Sequence, residues 1–549
     1  MDRVFGILTR RQRSVGSAAF VLASMVLASR VFGLIRDRML AARFAPDELG
    51  VYFAAFRIPN LVFELLVMGA LTSSFIPVFT KYLSSKREEE AWNMSSVLIT
   101  VSTIIFIVLI IPLFIWAVEF SQFFAPGFSR EQQAQMALFT RFLLLLQVVP
   151  LLIGNYFTGI LQSFRLFLVP AAAPVVYNIG IIIGILLLTP MYGLMAPVIG
   201  AGIGAFLFMA IQLPLLHRIG YRYRPMVSLS HPGVREVGRL VGPRTIGLAA
   251  SQIDTTVDLM LSSLLGARMV TVFTFAQHLQ QLPVGLFGTT IAQAALPTLS
   301  LSSASEDKGQ FQKIILASIH QILFFVLPIS ALFIVLRIPV VRLVFGASRF
   351  DWPATVLTGM TVSAFSFSLF AQAIGQVISR GFYALYDSKT PVTISVITIV
   401  GNTILSIAFI QYFGLPVWSL GLSTSLASIV NALVLLYLLD RRVGGFVRRD
   451  LLVPPIKMIV ATIVMAVSLY VPLKLLDQLV FDTTRTMGLL FLTGATSLIG
   501  LSSYIFLCWV FGLGEVKELV SFLRRLRRSG SVLLEPAREV VQSDSQDKN

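Results

Sequence analysis

Six ionisable residues sit where a chain this apolar is expected to have none. Residues 29–77 form two hydrophobic segments that carry Arg30, Arg36, Asp37, Arg38, Arg57 and Glu64. At the centre of a bilayer helix each charge costs about 2.5–3.5 kcal/mol. A Leu, Ile, Phe or Val returns only about 0.3–0.6 kcal/mol. The charged faces are therefore expected to turn from lipid toward a protein-lined, wet cavity. Ser29, Gly33 and Arg36 fall at i, i+4 and i+7, on one helical face, and Gly33 there admits a neighbouring helix or a bulky ligand. Arg30 lies roughly thirteen residues into its span and stays membrane-embedded under any boundary. It either faces the cavity or is held by an internal ion pair or a carbonyl. Arg36, Asp37 and Arg38 share that choice, or simply end a shorter helix.

In the next segment Pro59 removes a helix hydrogen bond beside Arg57 and Asn60, making a kink that is either a gate or packing geometry. Glu64, one turn past Asn60, pairs with an arginine of the first span or meets a substrate. Gly69 and Ala70 read as close-packing positions. Farther along, Asp254 and Asp258 are spaced i, i+4 on a later segment and Asn402 lies in another. Such oxygen donors suit a proton or Na⁺ as coupling ion, since hard cations want oxygen ligands; the alternative is that they are hydrogen-bonded polar positions. His278 is either a proton carrier that can touch a phosphate or a neutral structural histidine. Asp387 and Lys389, just before Pro391, read as turn chemistry with a local ion pair.

The elements that must hold these groups are membrane helices. The chain has 549 residues, 56% hydrophobic and 13% charged, with mean hydropathy +0.83. Soluble domains carry roughly 25% charged residues, so this is the composition of an all-α, polytopic membrane protein. Spans of about 20 apolar residues are expected near 17–43, 49–80, 93–119, 133–161, 169–189, 193–216, 238–264, 269–299, 312–337, 353–384, 390–411, 416–439, 453–475 and 487–513, about fourteen in all. The hydrophobic start is taken as the first span, uncleaved. With the N-terminus inside, cytoplasmic loops hold roughly 21 Lys and Arg against 8 outside, which places both termini in the cytoplasm. The net charge of +16 reflects these loops rather than a nucleic-acid partner.

An internal repeat emerges at about 220 residues. Phe53-Ala-Ala-Phe56 with Pro77 returns as Phe273-Thr-Phe-Ala276 with Pro297, and LQSFRLFLVPA (161–171) returns as FYALYDSKTPV (382–392). Six spans per half make a parallel repeat with a binding site between the halves near mid-depth. The expected organisation is a cytoplasmic N-terminus (1–16), an N-lobe (17–217), a linker (218–237), a C-lobe (238–440), an accessory helix pair (441–513), and a basic amphipathic helix with a disordered tail (514–549). That helix, with Val516, Leu519, Val520, Leu523 and Leu526 on one face, reads as lying on the anionic inner leaflet.

Enzyme signatures are missing. The sequence has no G-x-x-x-x-G-K-[ST] loop, no H-E-x-x-H and no G-x-S-x-G elbow. Its four histidines are scattered, and its single cysteine, Cys508, excludes an internal disulfide and a CxxC knuckle. No metal site and no cofactor are expected. Two like halves around buried charge describe a transporter better than an enzyme.

SRVFGLIRD (29–37), FRIPNL (56–61), GALTSSFIPVF (69–79) and GFYALYDSKTPV (381–392) resemble the MurJ/MviN family, the lipid II flippases of the multidrug/oligosaccharidyl-lipid/polysaccharide exporter superfamily. The resemblance implies a bacterial cytoplasmic-membrane protein that carries undecaprenyl-diphosphate-linked peptidoglycan precursor to the outer leaflet by alternating access, for cell wall biogenesis. It implies that Arg30 and Arg36 line the cavity with Ser29, Gly33 and Asp37 beside them, and a diphosphate does need fixed cationic donors. Cell-wall synthesis proteins would be further partners. The chain departs from the family pattern at Phe63 and His278, which stand in place of arginines, and at Gly50, in place of an acidic residue. Two rivals are a flippase for another polyprenyl-linked glycan or a MATE-like exporter, and a non-transporting scaffold of wall synthesis. Arginines in the cavity repel cationic drugs and count against a cation exporter.

Overall fold

The computed structural model describes residues 15–65, 74–228, 230–305, 307–346, 348–479 and 486–517, with 519 and 521. Gly69, Ala70, residues 1–14 and most of the basic stretch after 517 lie outside them. Among the described residues the structure is helical and has no strand. The first half comprises α1 (Val15–Arg43), α2 (Pro46–Ala55), α3 (Arg57–Phe63), α4 (Ile76–Ser84), α5 (Glu88–Ile115), α6 (Ala117–Phe124), α7 (Arg130–Ser163), α8 (Leu168–Tyr192) and α9 (Met195–Arg218). The second comprises α10 (Pro232–Leu264), α11 (Ala267–Ala304), α12 (Lys308–Val335), α13 (Arg337–Phe345), α14 (Trp352–Ser366), α15 (Leu369–Ala384), α16 (Lys389–Tyr412) and α17 (Trp418–Arg442). Two further helices, α18 (Arg448–Leu479) and α19 (Thr486–Val510), follow.

Among the described residues ten helices are long and apolar enough to cross a membrane, or eleven when α14 and α15, bent by 43° at their junction, count as one span. This is a multi-pass membrane protein. The expected figure of about fourteen would add α1, the broken α2–α4 run and α10, which supply most of the charged side chains discussed below.

Helix starts follow local chemistry. Ser129 caps α7 by accepting from the Gln132 amide at 3.2 Å, while Gln132 accepts from the Ser129 amide at 3.0 Å, a reciprocal pair that satisfies two otherwise orphaned donors. Asp307 and Asp351 cap α12 and α14 through the amides of Gln310 and Ala354. α1 runs unbroken to Arg43, so Arg36, Asp37 and Arg38 lie within the helix rather than at the end of a shorter one. The break in the second segment falls at Phe56, and Pro59 sits in the first turn of α3, where its missing N–H is tolerated.

The two halves repeat each other. α5 and α12 each have 28 residues. They end on nearly the same backbone turn, Trp116 at φ −91°, ψ 27° and Leu336 at φ −93°, ψ 22°, before the short helices α6 and α13. A π-turn at Gly184–Leu188 in α8 is matched by one at Ala408–Tyr412 in α16. Arg165 and Tyr386, in the two connections singled out from sequence, both have positive φ, 61° and 58°. Non-glycine residues adopt that conformation in only a few per cent of cases, so its recurrence is a structural signature of duplication.

One hydrophobic core draws on Ile58 through Val237 and a second on Ala292 through Val516, each from a single half with its adjoining helices. A third unites the halves, bringing Leu40, Phe44, Leu49 and Ala54 together with Val270, Phe275, Val341 and Phe345. That seam lies at the end of the bundle where α1 stops and α2 begins. Tyr504 donates to the Phe324 carbonyl at 3.0 Å and fixes α19 on α12; Cys508 is buried in the same core. Val516 is buried and Leu519 packs there too, so the described start of the basic stretch docks on the second core.

Candidate functional site

Between the halves lie two neighbouring spaces. The smaller, about 190 Å³, is lined by Ser29, Arg30, Gly33, Arg36 and Asp37 of α1, Asn178 of α8, and His278 and Gln281 of α11. The larger, about 430 Å³, runs from Arg36, Tyr52 and Phe53 past Arg57, Asn60, Phe63 and Glu64 to Gln147, with Thr255, Phe273 and Gln277 facing them. Arg36 and His278 line both.

Asp37 anchors the cluster. Its side chain is 2% exposed, and Oδ1 accepts from Arg36 Nε at 2.9 Å and Nη2 at 2.8 Å. Its Oδ2 lies 2.7 Å from His278 Nδ1, tying α1 to α11. Arg36 Nη1 donates to Asn178 Oδ1 at 3.1 Å. Three of the five guanidinium hydrogens are thus committed, leaving one on each terminal nitrogen for a ligand. Removing one partner of such a buried pair costs about 3–5 kcal/mol, so Asp37 holds Arg36 in place. Arg30 is exposed and reaches only Gln281 Oε1, at 3.5 Å. A Cβ built on Gly33 meets nothing within 4 Å; this glycine opens onto the space instead of seating a neighbouring helix.

Arg57 is buried and spans the halves, donating to Thr256 Oγ1 at 2.7 and 3.0 Å and to the Gln252 carbonyl at 2.6 Å. Glu64 lines the larger space together with Arg57 and Arg36, and Asn60 is exposed there. Behind this wall, Asp254 Oδ1 accepts from Asn402 Nδ2 at 2.9 Å, joining α10 to α16. Asp258 Oδ1 and Asn402 Oδ1 are buried with no hydrogen-bond partner. Two orphaned oxygens next to a carboxylate fit a proton or a small cation. Among the described residues no three His, Cys, Asp or Glu form a metal cluster. Asp387 accepts from the Thr390 amide at 3.0 Å and its hydroxyl at 2.8 Å, and its ionic neighbour is Arg442 at 3.8 Å rather than Lys389.

Several participants were not singled out from sequence. Asn178 is one polar residue in an apolar span. Gln147, 4% exposed, lines the larger space with Oε1 unpartnered, a condition that costs about 1–3 kcal/mol. The seam also carries a polar lock. Arg268 donates to Asp47 at 3.1 and 3.2 Å and to Asp351 at 2.7 Å, Thr271 donates to the Pro46 carbonyl at 2.6 Å, and Arg38 donates to the Leu343 carbonyl. Arg38 is therefore engaged at the seam. At Gly50 a Cβ would stand 1.9 Å from the Ala267 carbonyl oxygen, so α2 and α11 touch backbone to backbone and no side chain fits.

A duplicated helical bundle enclosing a charged chamber is the architecture of a membrane transporter. Its fold is that of a solved multidrug resistance MATE family transporter of the MOP superfamily in an inward-facing conformation, at TM-score 0.64 and 15% identity, over 78% of this chain and 98% of that one. A solved lipid II flippase MurJ in an inward closed conformation is more similar, at TM-score 0.76 and 25% identity, over 91% of this chain and all of that one. The family model described as lipid II flippase MurJ matches residues 43–490. The chain belongs to the MurJ family. Among its relatives a probable lipid II flippase MurJ of Buchnera aphidicola subsp. Acyrthosiphon pisum is 28% identical over 463 residues, 82% of this chain and 89% of the relative.

Proposed function

We propose that this protein moves lipid II, the undecaprenyl-diphosphate-linked peptidoglycan precursor, from the inner to the outer leaflet of a bacterial cytoplasmic membrane, and that it is a transporter without enzymatic activity. The observation that carries the reading is that Arg30 and Arg36 of α1 line one space between the halves, in a chain of the MurJ family. Arg30 is free of any carboxylate partner among the described residues, and Arg36 is pre-set by Asp37 and Asn178. Guanidinium groups fixed in this way pair bidentately with phosphate oxygens, and His278 adds a third donor when protonated.

With both termini in the cytoplasm, residues 17–217 and 238–440 act as rocking lobes about the linker 218–237, and 441–513 as the accessory pair. The seam is then the outer gate, closed here, and the chamber serves the inner side. Asp254, Asp258 and Asn402 bind the coupling ion, Na⁺ or H⁺. Ser29, Gly33, Asn60, Glu64 and Arg57 shape the chamber around the cargo, and cell-wall synthesis proteins receive it outside.

The test is replacement of Arg30 and Arg36 by Ala in cells that depend on this protein alone. Growth should stop, with lipid-linked precursor accumulating on the inner leaflet. Normal growth at full expression removes the assignment.

A further inference from the structure

Beyond the two arginines, the larger space changes character. Its far wall is balanced in charge: Arg57, anchored by Thr256 and Gln252, shares it with the carboxylate of Glu64. What remains is Gln147, Asn60 and Glu64, with the rings of Phe56 and Phe63, faced by Thr255 and Gln277. A phosphate has no place beside Glu64. At about 430 Å³ the space is of the size that holds small ligands, roughly 300–1,000 Å³.

Gln147 stands out within it. It lies in a π-turn, Leu144–Val148, inside α7, and Pro150 follows, where a missing N–H loosens the helix ladder. Such insertions re-aim side chains and recur at functional sites. Its neighbours Leu144 and Val148 are buried in the core of the first half, whereas Gln147 lines the space. Its carbonyl Oε1 has no donor, a penalty that persists until one arrives. The last torsion of a glutamine is broad, so this carbonyl can swing toward an entering N–H. A primary amide both donates and accepts, which matches a secondary amide on the ligand; a carboxylate accepts from the same N–H groups, and aromatic faces cover the apolar side of a sugar ring.

We propose that this end of the chamber is a recognition subsite for the amide-bearing part of the head group, N-acetylated sugar and peptide, and that Gln147 is its specificity-determining residue. The proposal rests on the flippase reading and assigns the chamber two ends, one cationic for diphosphate and one neutral for amides.

The test uses the full-length purified protein in detergent, titrated by intact-complex mass spectrometry with two lipids. One is a long-chain prenyl diphosphate; the other is the same lipid bearing an N-acetylated disaccharide with its peptide. The wild type should bind the glycosylated lipid roughly tenfold more tightly. Gln147→Leu should lose roughly five- to tenfold for that lipid, the value of one or two hydrogen bonds, and keep its affinity for the bare diphosphate. Equal loss for both lipids, or none for either, overturns the proposal. If Gln147→Leu does not yield folded protein, Gln147→Glu, which keeps length and the carbonyl oxygen but loses the donor, decides by the same selectivity. A wild type that binds both lipids equally overturns the subsite alone; one that binds neither overturns the flippase reading with it.

Discussion

Arg268 gives the sharpest test of the seam proposed as the outer gate. It reaches from the start of α11 to Asp47 in the first turn of α2 and to Asp351, the N-cap of α14, at 3.1 and 2.7 Å. The three side chains are 31%, 50% and 40% exposed, so solvent screens both pairs. Exposed ion pairs contribute about 0.2–1 kcal/mol each. Two that share one guanidinium therefore stabilise the closed seam by about 1 kcal/mol, roughly fivefold in a two-state equilibrium. Arg268→Ala should shift the population toward an outward-open state by that factor. Cys508 is the only cysteine and is buried, so a cysteine placed at Val270, 2% exposed on the seam side of the chamber, reports alone. A membrane-impermeant maleimide added from outside should label Val270→Cys about five times faster in the Arg268→Ala background. Asp47→Asn and Asp351→Asn should each give part of the effect, and high salt should shrink the difference between backgrounds. Unchanged or slower labelling would refute the lock.

Three further outcomes are expected. Asp37→Asn leaves Arg36 without its buried counter-charge, and a loss of about 3–5 kcal/mol should lower the unfolding temperature and precursor export together; a variant with wild-type stability and export would show that Asp37 does not hold Arg36. Gly50→Ala puts a methyl into the Ala267 carbonyl, and overpacking of this kind costs about 1–3 kcal/mol, so outside labelling of Val270→Cys should rise and thermal stability fall. If Na⁺ is the coupling ion, adding it should raise the unfolding temperature of the purified wild type, and Asp254→Asn or Asn402→Ala should abolish that rise; thermal shift in sodium against potassium chloride decides.

Charge in an apolar setting was the most legible signal. Arg30, Arg36 and His278 are named by their own cost in lipid, and the structure brings all three to one space. Span positions were legible because bilayer thickness sets helix length. What was hidden depended on contact across the fold. Nothing local marks Gly50 as a backbone crossing, because Ala267 lies far along the chain. Asp47 and Asp351 read as ordinary helix-start acids until Arg268 is found between them. Gln147 was concealed by its apolar neighbours, since a π-turn leaves no mark in hydrophobic periodicity and yet decides which way the side chain points. The partner of Glu64 was open for the same reason: spacing along a helix says which groups share a face, not what stands opposite.

The duplicated frame and its furnishings have parted ways. The twin elbows at Arg165 and Tyr386 still bend alike, yet Arg30, Arg36, Asp37 and Asn178 all belong to one copy, and among the described residues the other sends His278, Gln281 and Leu282 to the smaller space. A passenger gripped there would travel with the first wall. When the walls swing apart, the polar contacts that must let go in the smaller space are His278 and Gln281, so the timing of release there would be written in the second copy while the strength of the grip is written in the first.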